Sequence, residues 1–451
     1  MKIVADLHLH SKYSRAVSKD MNLPTMAEWA GKKSIDLLAT GDWTHPLHFN
    51  EIKSQLKENA DGIFKLQATE KVRYVLSTEL SCIYSQGGAT RRIHILVIAP
   101  SIATAEKINT ALKNRGFNLM SDGRPILGIS ARDLAELIFS IDEKTLIVPA
   151  HIWTPYFSLY GSKSGFDSIE ECFGEFAKNI YAVETGLSSD PAMNWRIKEL
   201  EEKSIVSFGD AHSPAKLGRE ATVFQIKNEK LQMKNYNSKL KILENFSFKD
   251  LTAAIKQDGD SDWEIGYTVE FYPEEGKYHY TGHRKCGIVQ SPNETKKKGS
   301  SCPVCGKSLT IGVMHRVEEL AGHGKAEVEL KENGVGLVGY YPKNMDRPPY
   351  VMLVPLAEIL SEVLDSGVST KTVTEEYERL IGEFGSEFNV LTRLSIDELA
   401  SFSSERLAEA ILKVRKGDIF IKPGFDGEFG KVKVWKDEEE KKRQKEQMML
   451  F

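Results

Sequence analysis

Apolar and polar positions alternate in blocks along the first half of the chain. Short apolar runs at 3–9, 35–39, 72–80, 93–99, 145–150, 181–183 and 205–208 predict strands. Amphipathic stretches at 26–32, 133–140 and 193–203 predict helices between them. This alternation points to a parallel sheet or barrel. From about residue 271 the texture changes to Gly, Lys and Cys, and helical patterns return at 350–364, 374–384 and 395–414. A charge run with an apolar tip follows. Four parts are expected: 1–270, 271–349, 350–436 and a tail at 437–451.

The chain has 451 residues, which suits two or three domains. Apolar residues at 41% and charged ones at 27% allow both a core and a soluble surface. No apolar run reaches the roughly 18 residues of a membrane span, so no membrane partner is expected. The segment MKIVADLHLH reads as a buried strand rather than a signal peptide. Five cysteines, three of them clustered, suit reduced thiols and a metal site. Together these predict a cytoplasmic protein. A formal charge of −4 argues against an anionic partner at first sight. Two bound dications would nearly cancel it and concentrate positive charge where a phosphate must sit.

Polar residues gather where the predicted strands end: His8, His10, Asp42, Glu79, His151, Asp210 and His212, with His94 inside a strand. In a βα barrel that edge carries the active site. His8 and His10 alternate with Leu7 and Leu9, so both imidazoles face one side of a strand. Carboxylates at Asp42 and Glu79 can bridge two ions. Burying so many polar groups without a compensating ion is costly, which favours two or three catalytic divalent metals, Zn, Mg or Mn. Such a site activates water for attack on phosphorus, with Glu79 and Asp210 as the catalytic carboxylates and Asp210 orienting that water. No Ser-His-Asp arrangement or Walker loop is present. The glycines around GSKSG, 161–165, read as a flexible surface loop.

A second constellation, His283-x2-Cys286 and Cys302-x2-Cys305, has the spacing of a closed tetrahedral zinc site that is structural rather than catalytic. His279 is an alternative fourth ligand. Lys296 to Lys298, between the knuckles, read either as a phosphate contact or as a solvated charge run.

The ordered motifs DLHLHS, TGDW, STEL, RIHILVIA, VPAHI and GDAHSP resemble the polymerase-and-histidinol-phosphatase (PHP) domain over residues 1–270. The resemblance implies an α/β fold, a distorted (β/α)7 PHP barrel, here followed by a small zinc-binding module and a mainly helical C-terminal domain. It implies a first metal on His8, His10, Glu79 and Asp210, a second on Glu79, His94 and His151, and a third involving His212. Trp43 stands where three-metal members have histidine after the aspartate, and no histidine follows His10 within SKYSRAVSKD. Asp42, His45 and His48 are the alternatives for that place.

With HYTGHRKCG, CPVCGKSLT, MHRVEELA and KPGFDGEFGKVKVW, the whole chain is similar to the endonuclease Q family of DNA-repair nucleases. This implies cleavage 5′ to hypoxanthine, uracil, xanthine or an abasic site, in double-stranded DNA and secondarily single-stranded DNA, with the damaged nucleotide flipped into a pocket. The alternatives are a small-molecule phosphatase of the histidinol-phosphate type and a non-catalytic DNA-binding scaffold. Residues 395–411 have the outline of a helix-hairpin-helix with Ser403 and Ser404 replacing glycines, and read equally as ordinary helix packing. Residues 422–433 suit either a backbone contact or a tight hairpin. The end QKEQMMLF resembles a degenerate sliding-clamp peptide, with Gln444 as anchor, Leu450 and Phe451 as the apolar pair, and Gln447 at a usually aliphatic position. A frayed terminus is the other reading.

Overall fold

A computed structural model describes residues 2–67, 71–227 and 236–436. The tail at 437–451, with the clamp-type residues Gln444, Leu450 and Phe451, lies outside the described residues. The fold is mixed α/β, built on a mixed sheet of thirteen strands. Seven strands frame the first half: β1 (Lys2–Asp6), β2 (Leu37–Ala39), β3 (Arg73–Gln86), β4 (Ala89–Ala99), β5 (Leu146–Pro149), β6 (Ala182–Glu184) and β7 (Ser204–Val206). β1, β2 and β3 are parallel, in the register Ala5–Leu37 and Leu37–Arg73. β6 and β7 are parallel as well.

The expectation of parallel strands fails at β4, which runs antiparallel to both β3 and β5. The cause is local. Gly87 and Gly88 both take positive φ, 63° and 74°, and form a two-residue turn that reverses the chain at once. The reversal sets His94, in the middle of β4, opposite Ser81 of β3 and level with the end of β5. Two short connections join the pair β6–β7 to its neighbours. Ile152 N donates to Glu184 O at 3.1 Å, and His10 N donates to Ala211 O at 3.0 Å, linking the end of β7 back to β1.

Helices cover the outside for the expected reasons. Leu23–Lys33 starts at the Asn22 cap and buries Leu23, Met26, Ala27 and Ala30. Ala131–Ile141 starts at Ser130 and buries Leu134, Ala135, Leu137 and Ile138. The predicted helix at 193–203 is instead a four-residue turn of helix, Pro191–Asn194, and a 3-10 turn, Lys198–Leu200. The predicted helix at 350–364 begins as a strand, Tyr350–Met352, before the helix Leu356–Val363. Three apolar residues are too few for periodicity to separate strand from helix. That strand pairs in parallel with β9 (Trp263–Glu270), which itself pairs with β8 (Ala221–Ile226). One sheet therefore spans the expected boundaries at 270 and 349.

The C-terminal helices pack around Leu360, Leu380, Leu399 and Ile411 in an apolar cluster that also takes in Val4, Val223 and Val269 of the sheet. Ser404 caps the helix Glu405–Lys416 and Ser403 Oγ donates to Glu376 at 2.7 Å, so both hairpin serines are engaged within this helical unit. The buried Lys33–Glu387 pair, 2.7 Å, ties the unit to the first half, and Tyr377 Oη donates to the same carboxylate at 2.8 Å. Arg415, 1% exposed, donates to the carbonyls of Leu391, Val335 and Val390.

Candidate metal centre

Local conformation aims the side chains inward. His8 and His10 follow β1 in extended backbone and stay on one face, both essentially buried. Glu79 lies within β3 and His94 within β4. His151 follows β5, and Asp210 follows β7. Asp42, His151 and Asp210 take φ of 41°, 31° and 44°, a left-handed region that costs a residue with a Cβ of order 1–3 kcal/mol. Each sits where the chain must turn sharply off a strand end. Glycines make room for these turns. A Cβ on Gly186 would lie 2.3 Å from that of His151, and one on Gly123 would lie 2.3 Å from Asp42 Oδ2.

Two ligand groups share Glu79. His8, His10, Glu79 and Asp210 offer one atom each within 4.8 Å of one another, and so do Glu79, His94 and His151. His10 Nε2 lies 3.1 Å from Glu79 Oε2 and 3.2 Å from Asp210 Oδ1. His94 Nδ1 and His151 Nε2 lie 2.6 and 3.1 Å from the other oxygen, Glu79 Oε1. Arg124 also reaches Glu79 Oε2, at 2.9 Å.

His8 Nε2, His10 Nε2 and Asp210 Oδ1 are buried without a hydrogen-bond partner, and all three point to one spot. Orphaned buried atoms of this kind cost free energy unless something occupies the space between them. The donor set, imidazole and carboxylate, is that of a divalent transition ion or magnesium. Electrostatics agree. Burial lowers the affinity of His8 for a proton, but Glu184, Asp210 and Glu79 outweigh it and raise the pKa well above the usual histidine range. The carboxylate field that draws a proton to these rings equally draws a cation. At His94 burial wins over Glu79 and holds the pKa down at about 4, so this ring is neutral at pH 7, as a ligand must be.

Asp42 and His212, expected at a third site, are not among these converging atoms. The Asp42 oxygens accept from His10 Nδ1 at 3.0 Å, Ser11 N at 2.6 Å, Ser11 Oγ at 2.7 Å and Ser14 Oγ at 2.9 Å, so it orients His10 from behind. His212 turns its Nδ1 to the Asp210 carbonyl, 2.8 Å, and lies part-exposed beside the cluster. His48 pairs with the Thr40 carbonyl at 2.9 Å, His45 stacks on Tyr13 at 4.6 Å, and neither ring is among the converging ligand atoms.

One residue was overlooked. Glu184, 0% exposed at the end of β6, receives His8 Nδ1 at 2.9 and 3.0 Å and His151 N at 2.8 Å. The signal was a carboxylate at the end of the apolar run AVE.

A cavity of about 670 Å³ opens beside Asp210 and His151. Tyr156, Phe157, Tyr278 and Phe429 supply aromatic walls, and Arg92 and Lys277 supply positive charge. The residues of GSKSG are a packed turn near its rim, with Gly161, Ser164 and Gly165 buried, rather than a loose loop. Phe429, 70% exposed, belongs to the hairpin of Phe420–Lys422 and Lys431–Lys433, as the tight-hairpin reading has it.

The second constellation also converges. His283, Cys286, Cys302 and Cys305 each offer a ligand atom within 4.8 Å of the others. Both knuckles have the same build, with Gly287 and Gly306 in left-handed conformation directly after the second ligand. Burial of the Cys302 thiol is outweighed by the amides of Cys305 and Val304 turned toward it, which bring its pKa down to about 6. His279 is buried on the wall of the large cavity, apart from this set. Lys298 pairs with Glu294 at 3.0 Å on the short helix between the knuckles, in keeping with a solvated charge run.

Comparison with known proteins covers nearly the whole chain. Residues 355–418 match the family model of the MJ0043 C-terminal domain. The protein MJ0043 of Methanocaldococcus jannaschii is 36% identical over 282 residues, which is 62% of this chain but only 31% of that longer protein. YqxK of Bacillus subtilis is 29% identical over 96% of this chain and 99% of its own length. Among solved structures, the lesion-specific endonuclease PfuEndoQ of Pyrococcus furiosus superposes with a TM-score of 0.77, at 32% identity, over 98% of this chain and 99% of that one. Endonuclease Q bound to a 27-mer duplex with an abasic lesion at its active site gives a TM-score of 0.78, at 33% identity, over 97% and 98%.

Proposed function

Since the chain belongs to the endonuclease Q family, we propose that it is a metal-dependent DNA-repair endonuclease, hydrolysing the phosphodiester 5′ to a deaminated base or abasic site. The observation that carries this is the adjacency of two ligand clusters sharing Glu79 to an aromatic-walled cavity that opens on Asp210. The seven strands β1 to β7 correspond in this reading to the distorted PHP barrel, and the converging thiolates hold a structural zinc. The metal set is His8, His10, Glu79 and Asp210 for one ion, and Glu79, His94 and His151 for the other. Divalent ions held there would lower the pKa of water and offset charge on the phosphoryl oxygens.

The chain's own groups do the rest. Asp210, whose side chain is 25% exposed, lies at the cavity and orients the attacking water. Arg124, 29% exposed at the cluster, faces the incoming phosphate. The cavity takes the flipped nucleotide, stacked among Tyr156, Phe157 and Tyr278, with Lys277 and Arg92 near its phosphates. A small-molecule phosphatase would leave the thiolate site and the exposed Phe429 without purpose, and a scaffold would not need so many buried ligands.

The test uses end-labelled duplexes carrying hypoxanthine, uracil, an abasic site or no lesion, with Mg²⁺ or Mn²⁺. One nick on the 5′ side of each lesion is expected, lost in Asp210→Asn. Intact lesion-bearing strands at saturating metal would refute the assignment.

A further inference from the structure

Glu184 touches one member of each ligand cluster. Its carboxylate accepts from the ring of His8, a first-cluster residue, at 2.9 and 3.0 Å. The same group, through Oε2, accepts from the backbone N–H of His151, a second-cluster residue, at 2.8 Å. It does not belong to either converging set. Resting on the metal assignment above, we infer that Glu184 is a positioning residue that couples the two ion sites, so that neither site is formed properly without it.

A carboxylate only accepts hydrogen bonds, so His8 must carry its proton on Nδ1 and present the Nε2 lone pair to the cluster. Nε2 is the atom left without a partner among Glu79 and Asp210. At His151 the contact is to the backbone, and the backbone is where the difficulty lies. With φ of 31°, this residue is held in a conformation that L side chains rarely adopt, and its N–H points into buried space. The Glu184 oxygen pairs that N–H and fixes the turn from which the ring projects toward Glu79.

The amide variant separates these roles. In Glu184→Gln one oxygen becomes an NH2 donor. Placed at Oε1, it opposes the Nδ1–H, which then either keeps only the 3.0 Å contact to the oxygen shared with His151 N or moves its proton to Nε2 and removes the ligand lone pair. Placed toward His151, it opposes the backbone N–H. Either way a donor faces a donor in a dry site. Asp42 offers the control, because it orients His10 alone and touches only the first cluster.

Mn²⁺ binding measured by native mass spectrometry and chelator competition tests the coupling, since the thiolate site prefers softer ions. Wild type should bind two Mn²⁺ per chain. Glu184→Gln should weaken both, about 10- to 100-fold each, the usual effect of losing a group that orients ligands. Asp42→Asn should weaken one. Glu184→Asp, which keeps the charge but draws it back by one methylene, should also weaken both. In the wild type loaded with diamagnetic Zn²⁺, ¹⁵N-edited spectra should find His8 as the Nδ1–H tautomer, a readout that needs no variant to fold. Loss of only one ion in Glu184→Gln, or the Nε2–H tautomer in the metal-loaded wild type, would overturn the coupling. No Mn²⁺ bound by the wild type would instead overturn the metal assignment on which it rests.

Discussion

Replacing Glu270 by Gln should remove a pH dependence built into the sheet behind the metal centre. Glu270, 0% exposed on β9, accepts from the Ser207 and Thr268 hydroxyls on Oε1 and has no partner on Oε2. Nearby Glu220 accepts from Leu187 N at 2.9 Å, on the loop that lines the cavity. Burial, with a smaller contribution from the charge of Asp190, pushes Glu270 up to about 8. An unfolded chain would release that proton near pH 4.3. Between about 4.3 and 8 the folded protein therefore holds a proton that the unfolded chain has lost. This contribution to stability is full below pH 4.3, falls by ~1.4 kcal/mol per pH unit through the window, and levels off above 8. Its span is at most about 5 kcal/mol. Glutamine keeps the shape and cannot ionise. With an unfolding entropy of about 2.1 cal/mol/K per residue over 451 residues, Glu270→Gln should raise Tm by about 5 °C at pH 8.5 relative to wild type, and by almost nothing at pH 5. Calorimetry of both proteins in the same EDTA-containing buffers cancels the separate pH dependence of metal binding. A difference in Tm that stays constant from pH 5 to 9, or a variant less stable at pH 8.5, would refute the argument.

Three further outcomes are expected. Cys302→Ser should lower bound zinc by one ion per chain, measured by elemental analysis, and open the segment 277–312 to protease while the helical unit stays resistant. Arg415→Met leaves the carbonyls of Leu391, Val335 and Val390 without a donor and should cost about 3 kcal/mol in denaturant unfolding; an unchanged midpoint would show that the helices adjust. Phe429→Ala should leave Tm unaltered, because the ring is 70% exposed, yet weaken binding to lesion-bearing duplex about 5- to 30-fold in fluorescence anisotropy, on a stacking contribution of ~1–2 kcal/mol.

Much of the convergence at the candidate metal centre was legible because strand periodicity and residue chemistry both act locally. His8 and His10 share a face by simple alternation, and the four residues of the thiolate set stand at knuckle spacing. What escaped depends on partners distant in sequence. Asp42 reads as a ligand by its place after a strand, but Ser11 and Ser14 occupy its oxygens and turn it into a support for His10. Glu184 gives a single short signal, and its role appears only when β6 is set beside β1 and β5. His94 looked displaced because the Gly87–Gly88 reversal runs β4 antiparallel and sets its middle beside Ser81 and the end of β5. The strand Tyr350–Met352 was hidden because three apolar residues show no period, although it pairs with both Val338–Pro342 and β9.

The left-handed turns at Asp42, His151 and Asp210 also bear on how this protein would evolve. Each is a place where glycine would relieve the backbone, so a lineage selected for thermal persistence alone would gain by mutating there, and would lose its chemistry before it lost its fold. Retention of all three side chains across descendants would then record continuous demand for catalysis, and glycine at any of them would mark a branch that had exchanged repair for robustness.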